Sequence, residues 1–257
     1  MRILGFIFWI YWMTVYNIIT FSSAAIVLLL SMFMSMKSGS FLRKLVTIWS
    51  RLGFILAFSP VEVRGKENML NEPSVIIANH QANLDVLLLA GYLPKDFLFV
   101  SKKEIFYLPF VGQLMKKMGY VSVDRKNLKR AASSIRHAIA RIKENNRILI
   151  FPEGTRSKDP ENLLPFKPGS LMIARQGKVP ILPVIIYGTS KIHPRNKPFY
   201  MIPRRSVIQI LKAIHPEDDL HPSKAKSVIE EDEILDKLRN KMNLVYRELA
   251  NEMESKK

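Results

Sequence analysis

Cysteine is missing from all 257 residues, which excludes disulfide bridges, cysteine nucleophiles and thiolate metal sites. That absence fits a reducing compartment. No Gly-x-Ser-x-Gly turn is present, so the nucleophile elbow of serine hydrolases is lacking, and so is a Gly-rich P-loop for nucleotide phosphates. Internal repeats and low-complexity segments are also absent. Acidic residues are few: 22 Asp and Glu stand against 39 Lys and Arg, a formal charge of +17. Residues 217–257 hold eleven acidic and eight basic side chains, which leaves +20 on the rest of the chain. Such a field attracts anionic lipid surfaces and phosphate-rich ligands, and taken alone it would attract nucleic acid as well.

A long stretch without charge separates those partners. From Ile3 to Met36 there is no charged residue, and Trp9, Tyr11, Trp12 and Tyr16 lie near its start. About 20 apolar residues suffice to cross a bilayer, so the run could span once. A nucleic-acid binder has no use for it. The run ends at Lys37-Ser38-Gly39-Ser40, and a second apolar stretch, Leu42 to Phe58, carries Arg43, Lys44 and Arg51. This layout also fits two helices dipping into one leaflet. In either case the basic flank places the rest of the chain on the cytoplasmic side. The length of the run, with only Arg2 as its charged start, argues against a cleaved signal peptide. Residues 1–58 are therefore expected to form a membrane element and 59–257 an α/β domain.

Chemistry concentrates in two segments about seventy residues apart. In the first, the apolar strand Ser74 to Ala78 runs into Asn79-His80-Gln81-Ala82-Asn83-Leu84-Asp85, and a helix begins near Leu84. An alcohol attacks a thioester only if a base takes its proton, and neutral histidine suits that task. A carboxylate on the other ring nitrogen would fix the tautomer. On a continuous helix His80 and Asp85 would point about 140° apart. Gln81 to Asn83 is therefore expected to turn, folding Asp85 back toward His80. A strand cap and a helix cap would account for the same residues without chemistry.

The second segment, Phe151-Pro152-Glu153-Gly154-Thr155-Arg156-Ser157, ends another strand. Gly154 permits a tight turn whose neighbouring amides, with the Thr155 hydroxyl, can face an anion. Arg156 adds a planar cationic fork suited to phosphate. Glu153 is the odd member, expected to accept from substrate hydroxyls or to hold Arg156. A strand-end turn with a surface ion pair is the plain alternative.

Together these segments resemble the first and third motif blocks of the glycerolipid acyltransferases, the 1-acylglycerol-3-phosphate acyltransferases in particular. Gly119-Tyr120-Val121-Ser122-Val123-Asp124-Arg125 resembles the second block, with Ser122-Val123 where Phe-Ile is common. Val179-Pro180-Ile181-Leu182-Pro183-Val184 resembles the fourth, and Phe166-Lys167-Pro168-Gly169 the stretch after the third. The resemblance covers roughly Pro60 to Lys212. It implies transfer of a fatty acyl group from acyl-CoA or acyl carrier protein, as co-substrate and without a cofactor, to the sn-2 hydroxyl of 1-acylglycerol-3-phosphate. Phosphatidic acid would be the product. Another lysophospholipid or glycerol-3-phosphate is the alternative acceptor, and a basic membrane adaptor the non-catalytic rival. His80 would be the base and Asp85 its partner. Lys103, Arg125, Phe151, Glu153, Gly154, Thr155, Arg156 and Lys167 would line the acceptor site, and Pro180 would shape the acyl-donor side. The implied partners are a membrane lipid acceptor, an anionic membrane surface and the acyl donor, with no nucleic acid. The implied location is the membrane, the inner membrane if the cell is bacterial.

The remaining pattern is α/β, with a central, mainly parallel sheet flanked by helices. Strands are expected at 74–79, 97–101, 119–124, 147–151, 181–187 and 207–213, and helices near 84–92, 109–117, 127–145 and 169–177. A last amphipathic helix, 227–253, carries Leu235, Leu238, Met242, Val245 and Leu249 and should dock on the domain. His137 falls on a surface stripe. His215 to His221 reads as a solvated acidic loop in preference to a metal site.

Overall fold

The computed structural model describes residues 2–33, 39–94, 96–108, 110–124, 128–157 and 161–255. Two helices come first, α1 (Arg2–Phe33) and α2 (Gly39–Leu56). After them stand β1 (Val61–Arg64), β2 (Val75–Ala78), α3 (Leu84–Tyr92), β3 (Leu98–Lys102), α4 (Val111–Lys117) and β4 (Val121–Val123). The chain continues through α5 (Leu128–Lys143), β5 (Ile148–Ile150), α6 (Gly169–Gly177), β6 (Ile181–Tyr187), α7 (Thr189–Ile192), β7 (Ser206–Ile210) and α8 (Val228–Ser255).

The seven strands form one sheet in the order β1-β7-β6-β2-β5-β3-β4. From β6 to β4 every pairing is parallel, while β7 runs antiparallel to β6 and parallel to β1. Parallel strands covered on both faces need apolar side chains on both. Accordingly Val75 and Ile77 enter one core with Ala138, Leu171, Leu238 and Tyr246 from α5, α6 and α8. Ile76 and Ala78 enter the other with Phe54, Leu88 and Leu89 from α2 and α3. The two-residue period of the strand thus separates two helical layers.

The two N-terminal helices are packed on the α/β layers. Arg51 donates through Nε to the Gly91 carbonyl at 2.7 Å, and Thr47 through Oγ1 to that of Ala90 at 3.0 Å, joining α2 to the end of α3. Trp12 of α1 donates through Nε1 to the Gly53 carbonyl at 2.8 Å. Trp12 stacks on Tyr16, which stacks on Trp49. Among the described residues one stretch, Ile3–Ser23, is long and apolar enough to cross a membrane. Two elements go beyond the sequence expectation: the edge strand β1 and the single turn α7.

Candidate active site

Residues 79–83 leave the carboxyl end of β2 and bend before α3 begins. The bend brings Asp85 Oδ2 to 2.8 Å from His80 Nδ1. That same oxygen accepts from the backbone amides of Gln81 at 2.6 Å and Ala82 at 2.9 Å. Its other oxygen accepts from the Thr189 hydroxyl on α7. Asp85 is wholly buried, so this set of donors is what keeps a carboxylate there tolerable. With Nδ1 donating to Asp85, the tautomer leaves His80 Nε2 as an acceptor on the partly exposed side of the ring.

The second segment is fastened to the first. Glu153 Oε1 accepts from the His80 amide at 2.7 Å and Oε2 from the Leu164 amide at 3.0 Å. The Ser157 amide donates to the His80 carbonyl at 2.8 Å. Phe151 stacks flat on the His80 ring, centroids 4.0 Å apart at 16°. Burial pushes the Glu153 carboxyl up to about 7, against the lowering pull of its two amide donors. Glu153 is 2% exposed, and both oxygens serve the backbone. This differs from the expectation that it contacts substrate or Arg156: it braces the turn at His80. Phe151, expected at the acceptor, is buried against His80 and sets the plane of its ring.

Gly154 takes a left-handed φ of 67° at the tip of the turn. A Cβ there would sit 2.9 Å from Lys167 Cδ and Cε, so the glycine lets the Lys167 side chain lie over the turn. Thr155 is exposed and Arg156 half-buried beside it, while Arg195 donates to the Arg156 carbonyl. Three cationic side chains thus gather within one residue or one contact of the Gly154 turn. Lys103 lies past the end of β3, its ammonium 2.6 Å from Asp124. Arg125 is outside the described residues.

Pro180 requires a correction. Its carbonyl accepts from the Val75 amide at the amino end of β2, and the register Val75↔Ile181 puts it at the sheet edge opposite His80. Five residues of strand separate those edges, roughly 16 Å. Pro180 starts a strand and does not border the site. His221 is also corrected, being buried, with Nε2 3.0 Å from the Val179 carbonyl and Nδ1 accepting from Ser223. It is a structural tie between α6 and the loop before α8. Sequence reasoning missed Thr189, whose signal was a Gly-Thr pair directly after a wholly apolar strand. It also missed Gln81, which donates to the Tyr246 hydroxyl of α8 at 2.5 Å.

The structure thus sets a histidine at the carboxyl end of a parallel strand, oriented by a buried aspartate, beside a cationic glycine turn. The family model described as Acyltransferase matches residues 60–187. A 1-acyl-sn-glycerol-3-phosphate acyltransferase of Saccharomyces cerevisiae is 38% identical over 162 residues, 62% of this chain and 52% of that protein. One from Helicobacter pylori is 32% identical over 56% of this chain and 60% of its own. The crystal structure of the 1-acyl-sn-glycerophosphate (LPA) acyltransferase PlsC of Thermotoga maritima superposes with a TM-score of 0.76 at 27% identity, covering 94% of this chain and 95% of that one. The chain belongs to the acyltransferase family. It spans about half the length of the curated relatives it matches.

Proposed function

We propose that this chain transfers a fatty acyl group from an acyl thioester to the sn-2 hydroxyl of 1-acylglycerol-3-phosphate, forming phosphatidic acid. The observation that carries the reading is the His80–Asp85 pair beside the cationic Gly154 turn, in a chain whose relatives bear that activity in their names. His80 Nε2 takes the acceptor hydroxyl proton as its oxygen attacks the thioester carbonyl. The C–O bond forms, the C–S bond breaks, and the imidazolium returns the proton to the departing thiolate. Asp85 stabilises the imidazolium between these steps. Arg156, Thr155 and Lys167 bind the acceptor phosphate, with Arg125 and Lys103 as further contacts. The donor is acyl-CoA or acyl carrier protein.

The reaction is assigned to the cytoplasmic face of a membrane, with residues 1–58 as the lipid-facing element. The re-entrant arrangement is supported by the first turns of α1 lying along the domain, where the Met201 amide donates to the Gly5 carbonyl and Trp9 packs edge-on to Phe199. The test is purified protein mixed with lysophosphatidic acid and donor, with free thiol followed. Thiol release that depends on acceptor is expected. His80→Ala should lower turnover about 10²- to 10⁴-fold while folding and vesicle binding persist. Near-normal turnover in that variant would refute the mechanism, and thiol release without acceptor would point to hydrolysis.

A further inference from the structure

The turn between β3 and α4 presents an apolar cluster that neither the reaction nor the helical pair uses. Tyr107, Leu108, Phe110 and Val111 are each between 45% and 75% exposed. Single exposed hydrophobics are ordinary, but four within five residues are not. The turn holds them outward. Phe106 is buried with Leu42 and Met115 at its base. A Cβ on Gly112 would lie 2.0 Å from the Phe106 carbonyl oxygen, so the loop closes tightly there. Phe110 itself sits at φ 62°, ψ −53°, a region unfavourable to a non-glycine residue that persists only where the surroundings impose it.

Position and charge say what these side chains meet. The turn lies beyond the carboxyl end of β3, the same sheet edge that carries His80 after β2 and Phe151 after β5. On the other side of His80 that edge carries Phe58 and Phe199, both more than half exposed and both packed against α1 aromatics. Four strand spacings separate β7 from β3, roughly 19 Å. Exposed Lys102, Lys116 and Lys117 flank the turn, and Glu104, paired with Lys102, is the acidic neighbour. The buried base of the turn is continuous with α2 through Leu42 and Val46. The outer side of α2 exposes Phe41, Ile48, Leu52 and Ile55.

We propose that the β3–α4 turn is a second membrane footing, inserting Tyr107, Leu108, Phe110 and Val111 into the bilayer surface across the site from α1. Lysines at its margin meet anionic head groups while the apolar tip enters the acyl boundary. His80 is then held between two footings, where an acceptor can reach it without leaving the leaflet. The inference rests on the acyltransferase reading for the role of His80, but the contact itself does not.

The chain has no cysteine, so Phe110→Cys of the 257-residue chain takes a single environment-sensitive nitrobenzoxadiazole label. On vesicles of phosphatidylglycerol and phosphatidylcholine the label should brighten and shift blue, and brominated lipid should quench it. A label at the exposed Asp236→Cys on α8 should not respond. An unchanged Phe110 label on protein that still floats with vesicles overturns the footing. A response that appears only when acyl carrier protein is added overturns it in favour of a protein partner. As a second readout, Leu108→Asn with Phe110→Asn should cut transfer to bilayer-embedded acceptor by at least about tenfold, given what two buried apolar side chains contribute. Detergent-dispersed acceptor should be used at the normal rate, and equal losses on both acceptors refute the inference. If the unaltered chain transfers no acyl group at all, the proposed reaction fails while the label still decides the footing.

Discussion

Glu153 shows how an ionisable residue can serve a site through backbone contacts alone. Its folded pKa stands at about 7 against an ordinary 4.5, with burial the largest cause. Between about pH 4.5 and 7 the folded chain keeps a proton that the unfolded chain has released, so this group's contribution to stability is lost as pH rises through that window. Glu153→Gln should therefore flatten the fall in melting temperature over that range. The variant should also be less stable at pH 5, because one amide oxygen must replace two acceptors. Parallel melting curves for the two proteins would contradict the assignment. Arg156 makes a different claim: Arg156→Ala should raise the acceptor KM more than the donor KM, with partial rescue by lysine, since a point charge replaces a fork. Equal changes would implicate the donor side. The His80–Asp85 pairing and the Gly154 turn were legible because residue types and spacing alone called for a turn that brings the two side chains together and for a left-handed glycine. The job of Glu153 was not, because its partners are backbone amides, and an amide leaves no mark in sequence.

Among elements, α2 does more than its amphipathic pattern announces. Phe54, with Ala57 just past the end of the helix, is buried in the core above β2 and β6, so α2 belongs to the fold. Its close approach to α1 depends on Gly53, where a Cβ would meet the Tyr16 ring at 2.9–3.0 Å and its hydroxyl at 3.1 Å. Gly53→Leu should prise α1 away, break the Trp12 hydrogen bond and cost about 1–3 kcal/mol. A lower melting temperature and a red-shifted tryptophan emission are expected, and an unchanged spectrum would rule out the clash. Long apolar runs fixed where most elements fall: β6 and the helices α3 and α6 occupy the spans read from pattern alone. β1 escaped because Val-Glu-Val-Arg is four residues long and half-exposed, with its pairing partner β7 some 145 residues away. The reversed direction of β7 was hidden for the same reason, since register with distant strands is a tertiary property. Pro180 misled by lying at the start of β6, whose other end leads into α7, where Thr189 reaches Asp85.

At the scale of the whole molecule, the buried interface between α2 and the α/β layers changes what a truncation can test. All matched motif blocks lie after Pro60, and by sequence alone residues 1–58 could be removed as a unit. The structure argues otherwise: removing α2 would uncover Leu88 and Leu89 and strip the core of Phe54 and Ala57. Loss of a single large core side chain typically costs about 3–5 kcal/mol, a large part of the total for one domain. Deleting 1–58 should therefore yield an aggregated or molten protein by circular dichroism. Deleting 1–38 keeps α2 in place and removes α1, whose described residues expose Ile3, Leu4, Ile7, Ile18 and Phe21. That shorter deletion loses the buried Trp12 and Tyr16 but keeps Phe54 on Leu88 and Leu89; it should still melt cooperatively, at a lower temperature than the full chain, acylate a short-chain water-soluble acceptor, and lose most activity on acceptor embedded in vesicles. The informative quantity is the ratio of the two activities, compared with the full chain. A folded 39–257 protein that used bilayer acceptor as well as the full chain would remove α1 from lipid access. A 59–257 protein that melted normally would show that α2 belongs to the membrane element alone.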